Sequence, residues 1–209
     1  MAERVYLDHA ATSPLRPEAK AGQEEGFRLW ANPSSPHAEG RKARAALEDA
    51  RERIKAALGL GQGSKSYELI FTSGASEALG IALNRAKAKR RIVSAVEHDA
   101  VFRAAPDAAI FTGDEPLCPD TLLAIQHCNS ETGTINPVSD MAAAMQEAGA
   151  LLLSDCAQSA GKLALPAADM VVISAHKFGG PIGIGALLVR DFNLLEPSGG
   201  HERGYRQGT

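Results

Sequence analysis

A lysine lies between two apolar runs in the segment VVISAHKFGGPIGIGALLVR, residues 171–190. Lys177 follows a β-branched stretch directly, and several glycines follow the lysine. A lysine at a strand end is either a surface residue or a reactive amine held in a pocket. Burial or neighbouring cations lower the pKa of a lysine, and its neutral amine then condenses with carbonyl groups as a Schiff base. The other polar residues of the chain have to distinguish these two interpretations.

A second polar group follows an apolar run in LIFTSGASEAL, where residues 72–76 read TSGAS. Free amides at the start of a helix, a hydroxyl and a permissive glycine together make a phosphate cradle. An ordinary strand–helix turn has the same composition, so the segment alone leaves both interpretations open.

Two further residues have both a structural and a chemical interpretation. Asp155, at the end of ALLLSDC, either caps the next helix or pairs with a protonated ring nitrogen. His98 is either a structural histidine or a flat ring that stacks on an aromatic cofactor. A phosphate cradle, a ring-nitrogen acid, a stacking ring and a Schiff-base lysine together are the features of a pyridoxal 5′-phosphate (PLP) site.

Apolar runs and helical patterns alternate along the chain and so position these residues. Helices are predicted from Pro17 and from Ser35–Pro36, the second with Ser35 as its cap and a buried stripe from Ala43 to Leu58. From YELIF onward, short strands alternate with helices, which predicts an α/β fold with a mainly parallel sheet and helices on both faces. Ligands of such sheets bind at the carboxyl ends of the strands.

Composition excludes several classes of protein. The 209 residues are 44% hydrophobic and 22% charged, and the net charge of −3 gives no basis for binding nucleic acid or an anionic membrane. No apolar run reaches the roughly 20 residues of a membrane span, and no secretory signal is evident, so a cytoplasmic location is expected. The three cysteines are too few and too scattered for a disulfide framework or a zinc site, and no metal is expected.

Several motifs resemble those of the cysteine desulfurases, the class V aminotransferase branch of fold-type I PLP enzymes. The resemblance runs nearly end to end, through these segments in order: YLDHAATSPLRPE, NPSSPHAEGRKARAALEDARERI, FTSGASEA, VEHDAV, NSETGTINPV, DCAQSAGK, SAHKFGGPIGIGAL and GGHERGYRQGT. It implies an N-terminal segment, residues 1–15, and a PLP-binding large domain, residues 16–209.

The resemblance also implies roles for individual residues. Lys177 would form the Schiff base with His176 beside it, and His98 would stack on the ring. Asp155 would pair with the ring nitrogen and Gln158 with the ring hydroxyl. The phosphate would be held by Ala75, Ser76 and Ser174, together with Thr209 from the partner subunit of a homodimer.

The chain departs from the family pattern at two places. The family's pair of asparagines reads Asn129-Ser130, so the cofactor contact at Ser130 is lost, remade through water or taken by Asn129. The chain also ends at Thr209, before the expected small domain, its nucleophilic cysteine and the substrate-binding arginine. Alternation along extended segments predicts that the thiols of Cys128 and Cys156 point away from the neighbouring site residues.

The resemblance implies a PLP-dependent removal of sulfur from L-cysteine. The products would be alanine and a persulfide for a sulfur-acceptor protein such as an iron–sulfur scaffold, or for thio-cofactor assembly. We expect the 209 residues alone to bind cofactor at most, without persulfide production. The alternatives are a selenocysteine lyase or another class V PLP enzyme, and a non-catalytic PLP-binding fragment or scaffold.

Overall fold

A single mixed sheet organises the protein, for which a computed structural model describes residues 4–60 and 66–207. Seven strands are present in the described part of the chain, in the spatial order β1-β7-β6-β5-β4-β2-β3. Their bounds are β1 Glu68–Thr72, β2 Arg90–Ser94, β3 Ala109–Phe111, β4 Thr121–Gln126, β5 Leu151–Asp155, β6 Met170–Ser174 and β7 Gly185–Val189.

Strand direction brings the predicted polar residues to one edge of the sheet. Five neighbouring strands of the sheet, β3-β2-β4-β5-β6, pair in parallel, and β7 is antiparallel to both of its neighbours, β6 and β1. Gln126 at the end of β4 lies opposite Asp155 at the end of β5, and Ser174 at the end of β6 lies opposite Gly185. The carboxyl ends of these strands therefore meet, as the α/β pattern predicts.

Helices cover both faces of the sheet, which confirms the predicted α/β fold with a mainly parallel sheet. Their bounds are α1 Pro17–Arg28, α2 Ala38–Ala57, α3 Ala75–Arg85, α4 Asp99–Ala104 and α5 Val138–Glu147. Leu79 and Leu83 of α3 pack with α4 on one face, and Met145 of α5 packs on the other. β5 and β6 are buried along nearly their whole length because both of their faces are covered.

The start of α2 differs from the sequence prediction. Its N-cap is His37, whose Nδ1 accepts a hydrogen bond from the amide of Gly40, so Ser35 does not cap the helix. The predicted stripe is only partly buried, and Arg51 and Lys55 are buried on the same helix. Arg51 can be buried on this face because the carbonyl oxygen of Leu69 and the carboxylate of Glu202 accept its hydrogen bonds.

Helix α1 lies outside the hydrophobic core. None of its residues is buried; Phe27 is exposed by 72%, and Trp30, which follows the helix, by 78%. No helix in the described ranges is both long enough and apolar enough to cross a bilayer.

Candidate active site

A cavity of about 670 Å³ opens at the edge where the strand ends meet, a volume within the usual range for small-molecule sites. Most of the residues predicted for the cofactor line it: Ala75, Ser76, His98, Ser130, Asp155, Gln158, Ser174, His176 and Lys177. The structure thus brings together residues separated by more than 100 positions in the chain. Thr209, predicted to contact a phosphate in the partner subunit, lies outside the described residues.

Lys177 ends a short 3₁₀ turn, Ala175–Lys177, that follows β6 directly. Its half-buried amine donates to the carbonyl oxygens of Ala10 (2.6 Å) and Ala11 (3.0 Å). Burial lowers the pKa of Lys177, although the nearby Asp155 carboxylate acts in the opposite direction. A partly desolvated amine of this kind suits nucleophilic chemistry better than a surface lysine does.

Asp155 lies at the floor of the cavity, only 8% exposed. Its Oδ1 accepts a hydrogen bond of 2.9 Å from the amide of Ala157. Burial raises the pKa of Asp155, while this hydrogen bond, His98 and Lys177 act to lower it. A cation placed against the carboxylate would stabilise its ionised form further.

The start of α3 forms one wall of the cavity. Gly74 occupies the N-cap, so no side chain from the described residues caps the first-turn amides, and the positive end of the helix dipole faces the cavity. Ser73 also donates its amide to the carboxylate of Glu77, which fixes the turn. This arrangement suits a phosphate group.

The glycines after Lys177 allow the backbone to pack against this wall. A Cβ at Gly185, the first residue of β7, would lie 2.6 Å from the Cα of Gly74. A Cβ at Gly180 would lie 2.7 Å from the Cβ of Ala175 in the turn that carries Lys177. Both positions therefore require glycine for close packing behind the cavity.

Two histidine rings at the cavity are oriented by hydrogen bonds. His98 is the N-cap of α4, and its Nδ1 accepts from the amide of Ala100 at 3.0 Å, which leaves the ring exposed at the cavity rim. Nδ1 of His176 lies 3.1 Å from Oγ1 of Thr12, and burial lowers the pKa of His176. His98 is the more exposed of the two rings, so a flat ligand could stack on it.

The loop after β4 differs from the sequence prediction. Asn129 does not line the cavity, because its Oδ1 accepts from the amides of Glu131 and Thr132 and its Nδ2 donates to Val96 O at 3.4 Å. Cys128 lines the cavity instead, so Cys128 and Asn129 take different sides, as alternation predicts, but the cysteine and not the asparagine is at the cavity. Cys156 is fully buried in the core, as predicted.

Sequence reasoning missed the contribution of residues 8–13. Ala10 and Ala11 supply the acceptors for Lys177, Gln158 Nε2 donates to Ala10 O at 2.9 Å, and Ser13 donates to the carbonyls of His176 and Lys177. This segment has no periodic pattern, and the acceptors that it offers to Lys177 and Gln158 are main-chain atoms. The only available signal was the match of YLDHAAT to the family opening.

The donor set fits pyridoxal 5′-phosphate and gives no indication of a metal. Amides at a helix start, a buried carboxylate, an exposed imidazole face and a half-buried lysine amine surround one cavity of suitable volume. Within the described ranges, no three His, Cys, Asp or Glu side chains are placed to hold a metal ion.

Comparison with known families agrees with this geometry. The profile of the aminotransferase class-V family matches residues 5–115 and 119–203, which include the described cavity residues. The chain belongs to the aminotransferase class-V family.

Named relatives within this class-V group are cysteine desulfurases. The chain is 35% identical to cysteine desulfurase IscS of Dictyoglomus turgidum and 37% identical to a cysteine desulfurase of Gluconacetobacter diazotrophicus, with 100% and 98% of this chain aligned. The alignments cover 60% and 59% of those proteins. The class-V chain therefore spans about three fifths of the length of these relatives.

Solved structures of the same fold cover nearly the whole chain. A NifS-like protein from Rickettsia africae superimposes with a TM-score of 0.85 at 26% identity, over 99% of this chain and 64% of that one. SspA in complex with cysteine superimposes with a TM-score of 0.81 at 33% identity, over 98% of this chain and 68% of that one. These likenesses confirm the fold-type I large-domain architecture.

Proposed function

We propose that this class-V chain is the cofactor-binding portion of a PLP-dependent cysteine desulfurase. The observation that carries the proposal is the half-buried amine of Lys177 in one cavity with the buried carboxylate of Asp155 and the uncapped start of α3. The cysteine desulfurase names of its relatives favour this activity over a selenocysteine lyase.

The chain's own residues have distinct tasks in this proposal. The amides of Ala75 and Ser76 and the hydroxyl of Ser174 bind the phosphate, since they lie at the positive end of α3 or beside it. Asp155 holds a proton on the ring nitrogen, and Gln158 contacts the ring hydroxyl. When bound, the cofactor supplies an electron sink for reactions at the substrate α-carbon.

The remaining cavity residues orient the cofactor and move protons. His98 packs its exposed ring face on the cofactor ring, and His176 supports the turn that carries Lys177. Lys177, with its pKa lowered by burial, accepts and returns the proton at the substrate α-carbon. The serine at position 130 leaves more room in the cavity than an asparagine would.

We propose L-cysteine as the substrate, supported by the relatives' names and by SspA, which was solved with cysteine. The persulfide product, a sulfur-acceptor protein such as an iron–sulfur scaffold, the homodimer and the cytoplasmic location belong to the same proposal. The division into residues 1–15 and 16–209 and the inactivity of the 209 residues alone also stay predictions.

The test is an absorbance spectrum of the purified protein with pyridoxal 5′-phosphate. We expect a visible band that shifts on addition of L-cysteine, and we expect Lys177→Ala to lack the band because it lacks the amine. Lys162→Ala is the matched control, since Lys162 is a nearby but exposed lysine, and it should keep the band.

Two results would contradict the proposal. A band of equal intensity in Lys177→Ala would mean that another amine reacts with the cofactor. The absence of a band in the folded wild-type protein would show that the described cavity does not bind the cofactor in this way.

A further inference from the structure

A second buried carboxyl lies beneath the cavity, beside the residues to which the proposed function assigns roles. Glu97 is 8% exposed, and its Oε1 accepts a hydrogen bond of 2.8 Å from the amide of Gln126. Its Oε2 is buried and has no hydrogen-bond partner among the described residues. An ionised carboxylate with an unpaired buried oxygen is costly, so such a group favours its protonated form.

Glu97 and Asp155 are neighbours through the sheet. Gln126, which donates to Glu97, lies directly opposite Asp155 on the adjacent parallel strand. Both carboxyls are buried, and the negative charge of Asp155 acts to raise the pKa of Glu97, so ionisation of both is costly.

The surroundings of the two acids decide which one holds the proton. Asp155 accepts from the amide of Ala157 and experiences the charges of Lys177 and His98, all of which favour its ionised form. For Glu97 the acceptor bond from Gln126 and a contact with Ser94 favour ionisation, and its charged neighbour is Asp155, which opposes it. Burial, with a further contribution from Asp155, raises the pKa of Glu97 to about 8.

We infer that Glu97 holds a proton at neutral pH while Asp155 does not, so that Asp155 is the buried anion at the cavity. The part of this inference that concerns a cofactor ring nitrogen rests on the proposed function. The part that concerns the proton on Glu97 does not.

Glu97 also positions the loop that carries His98. The carbonyl of Val96 accepts hydrogen bonds from the side-chain amides of Gln126 and Asn129, while Glu97 accepts from the Gln126 backbone. Three hydrogen bonds therefore attach the residues before His98 to the end of β4 and the loop that follows. Glu97 acts as a positioning residue, since it is not among the residues that line the cavity.

The first test uses cofactor-free protein and compares the wild type with Glu97→Gln, which mimics the protonated acid. The pKa of Glu97 is about 8 in the folded protein and ordinarily 4.5. Its contribution to the stability of the folded protein is therefore lost as pH rises from the lower value to the higher one. The folding constant of the wild type should fall by up to about tenfold per pH unit between roughly pH 5 and 8 relative to Glu97→Gln. Urea denaturation at each pH measures the folding constants of both proteins and hence their ratio.

An exposed carboxyl supplies the control. Glu147→Gln, at the end of α5, should follow the wild-type pH dependence. The infrared spectrum of the wild-type protein near pH 7 should also contain a protonated-carboxyl band that Glu97→Gln lacks. A pH-independent ratio between wild type and Glu97→Gln, or no such band, would overturn the inference.

The second test uses protein loaded with pyridoxal 5′-phosphate. We expect a step in cofactor absorbance near pH 8 in the wild type and its loss in Glu97→Gln, whereas a purely structural glutamate would leave the pH profile unchanged. An identical step in both proteins would overturn the pairing with Asp155. If the wild type binds no cofactor, the proposed function fails, and the cofactor-free measurements still decide where the proton lies.

Discussion

Burial acts on the pKa values of the two titratable groups that face each other in the cavity. It moves the pKa of Lys177 down and the pKa of Asp155 up, while the attraction between their opposite charges opposes both shifts. A ligand that carries both a carbonyl and a cationic ring would use these two shifts in different ways. The amine gains nucleophilicity, and the cation further stabilises the ionised form of the acid.

The three thiols also differ in how deeply they are buried, and this difference predicts their reactivity. Burial raises the pKa of Cys156 to about 12, whereas Cys118 and Cys128 are only half-buried. We expect a thiol reagent at pH 8 to modify Cys118 and Cys128 in the folded protein and Cys156 only after unfolding, because the thiolate is the reactive form. Mass spectrometry of the labelled peptides measures this order.

Cofactor protection adds a check on the position of Cys128. Bound pyridoxal 5′-phosphate should slow the labelling of Cys128, which lines the cavity, and leave the labelling of Cys118 unchanged. Equal protection of both thiols would argue against the position of Cys128 at the cavity.

At the level of elements, a buried arginine connects α2 with β1 and the turn at residues 202–204. Arg51 is 2% exposed and donates to Leu69 O (2.6 Å) and to both carboxylate oxygens of Glu202 (2.7 and 3.2 Å). Glu202 also accepts from the amide of Phe71 and has a positive φ of 47°. The ion pair thus holds a turn whose backbone is unfavourable for a residue with a side chain.

Removal of this arginine should be strongly destabilising. Arg51→Ala leaves Glu202 without its cationic partner in a largely buried position, and breaking such a pair costs about 3–5 kcal/mol in free energy of unfolding. Arg53→Ala, an exposed arginine of the same helix, should cost less than about 1 kcal/mol. Chemical denaturation of both variants measures the difference, and similar losses would contradict a special role for Arg51.

In the whole molecule, hydrophobic cores lie on both faces of the sheet, and the N-terminal helix α1 lies outside them. The cavity depends on residues 8–13 from that same N-terminal region, which reach the turn that carries Lys177. None of the residues of α1 is buried.

Trp30 follows the end of α1 closely and is the single tryptophan of the chain, so its fluorescence reports on this region. At 78% exposure its fluorescence should be quenched readily by iodide at low protein concentration. Trp30→Ser should change the free energy of unfolding by no more than about 0.5 kcal/mol, since the side chain buries little surface. Protection from iodide that grows with protein concentration would indicate that a second copy covers Trp30.

The sequence by itself determined the order of the elements and the chemistry at the strand ends. Buried parallel strands require continuous apolar runs, and residues such as Ser174 and Asp155 end those runs directly, so the edge of the sheet could be predicted without coordinates. The turn at residues 72–76, which we propose binds a phosphate, follows from the same strand-to-helix pattern.

Only the tertiary structure decided the contacts that carry no periodic signal. The bonds from Lys177 to the Ala10 and Ala11 carbonyls involve main-chain atoms, and the loop after β4 selects Cys128 over Asn129 for the cavity through its own hydrogen bonds. The unpaired oxygen of Glu97 arises because β2, β4 and β5 come together around it. These features depend on the surroundings of each group in three dimensions, and burial and charge there are set by distant parts of the chain.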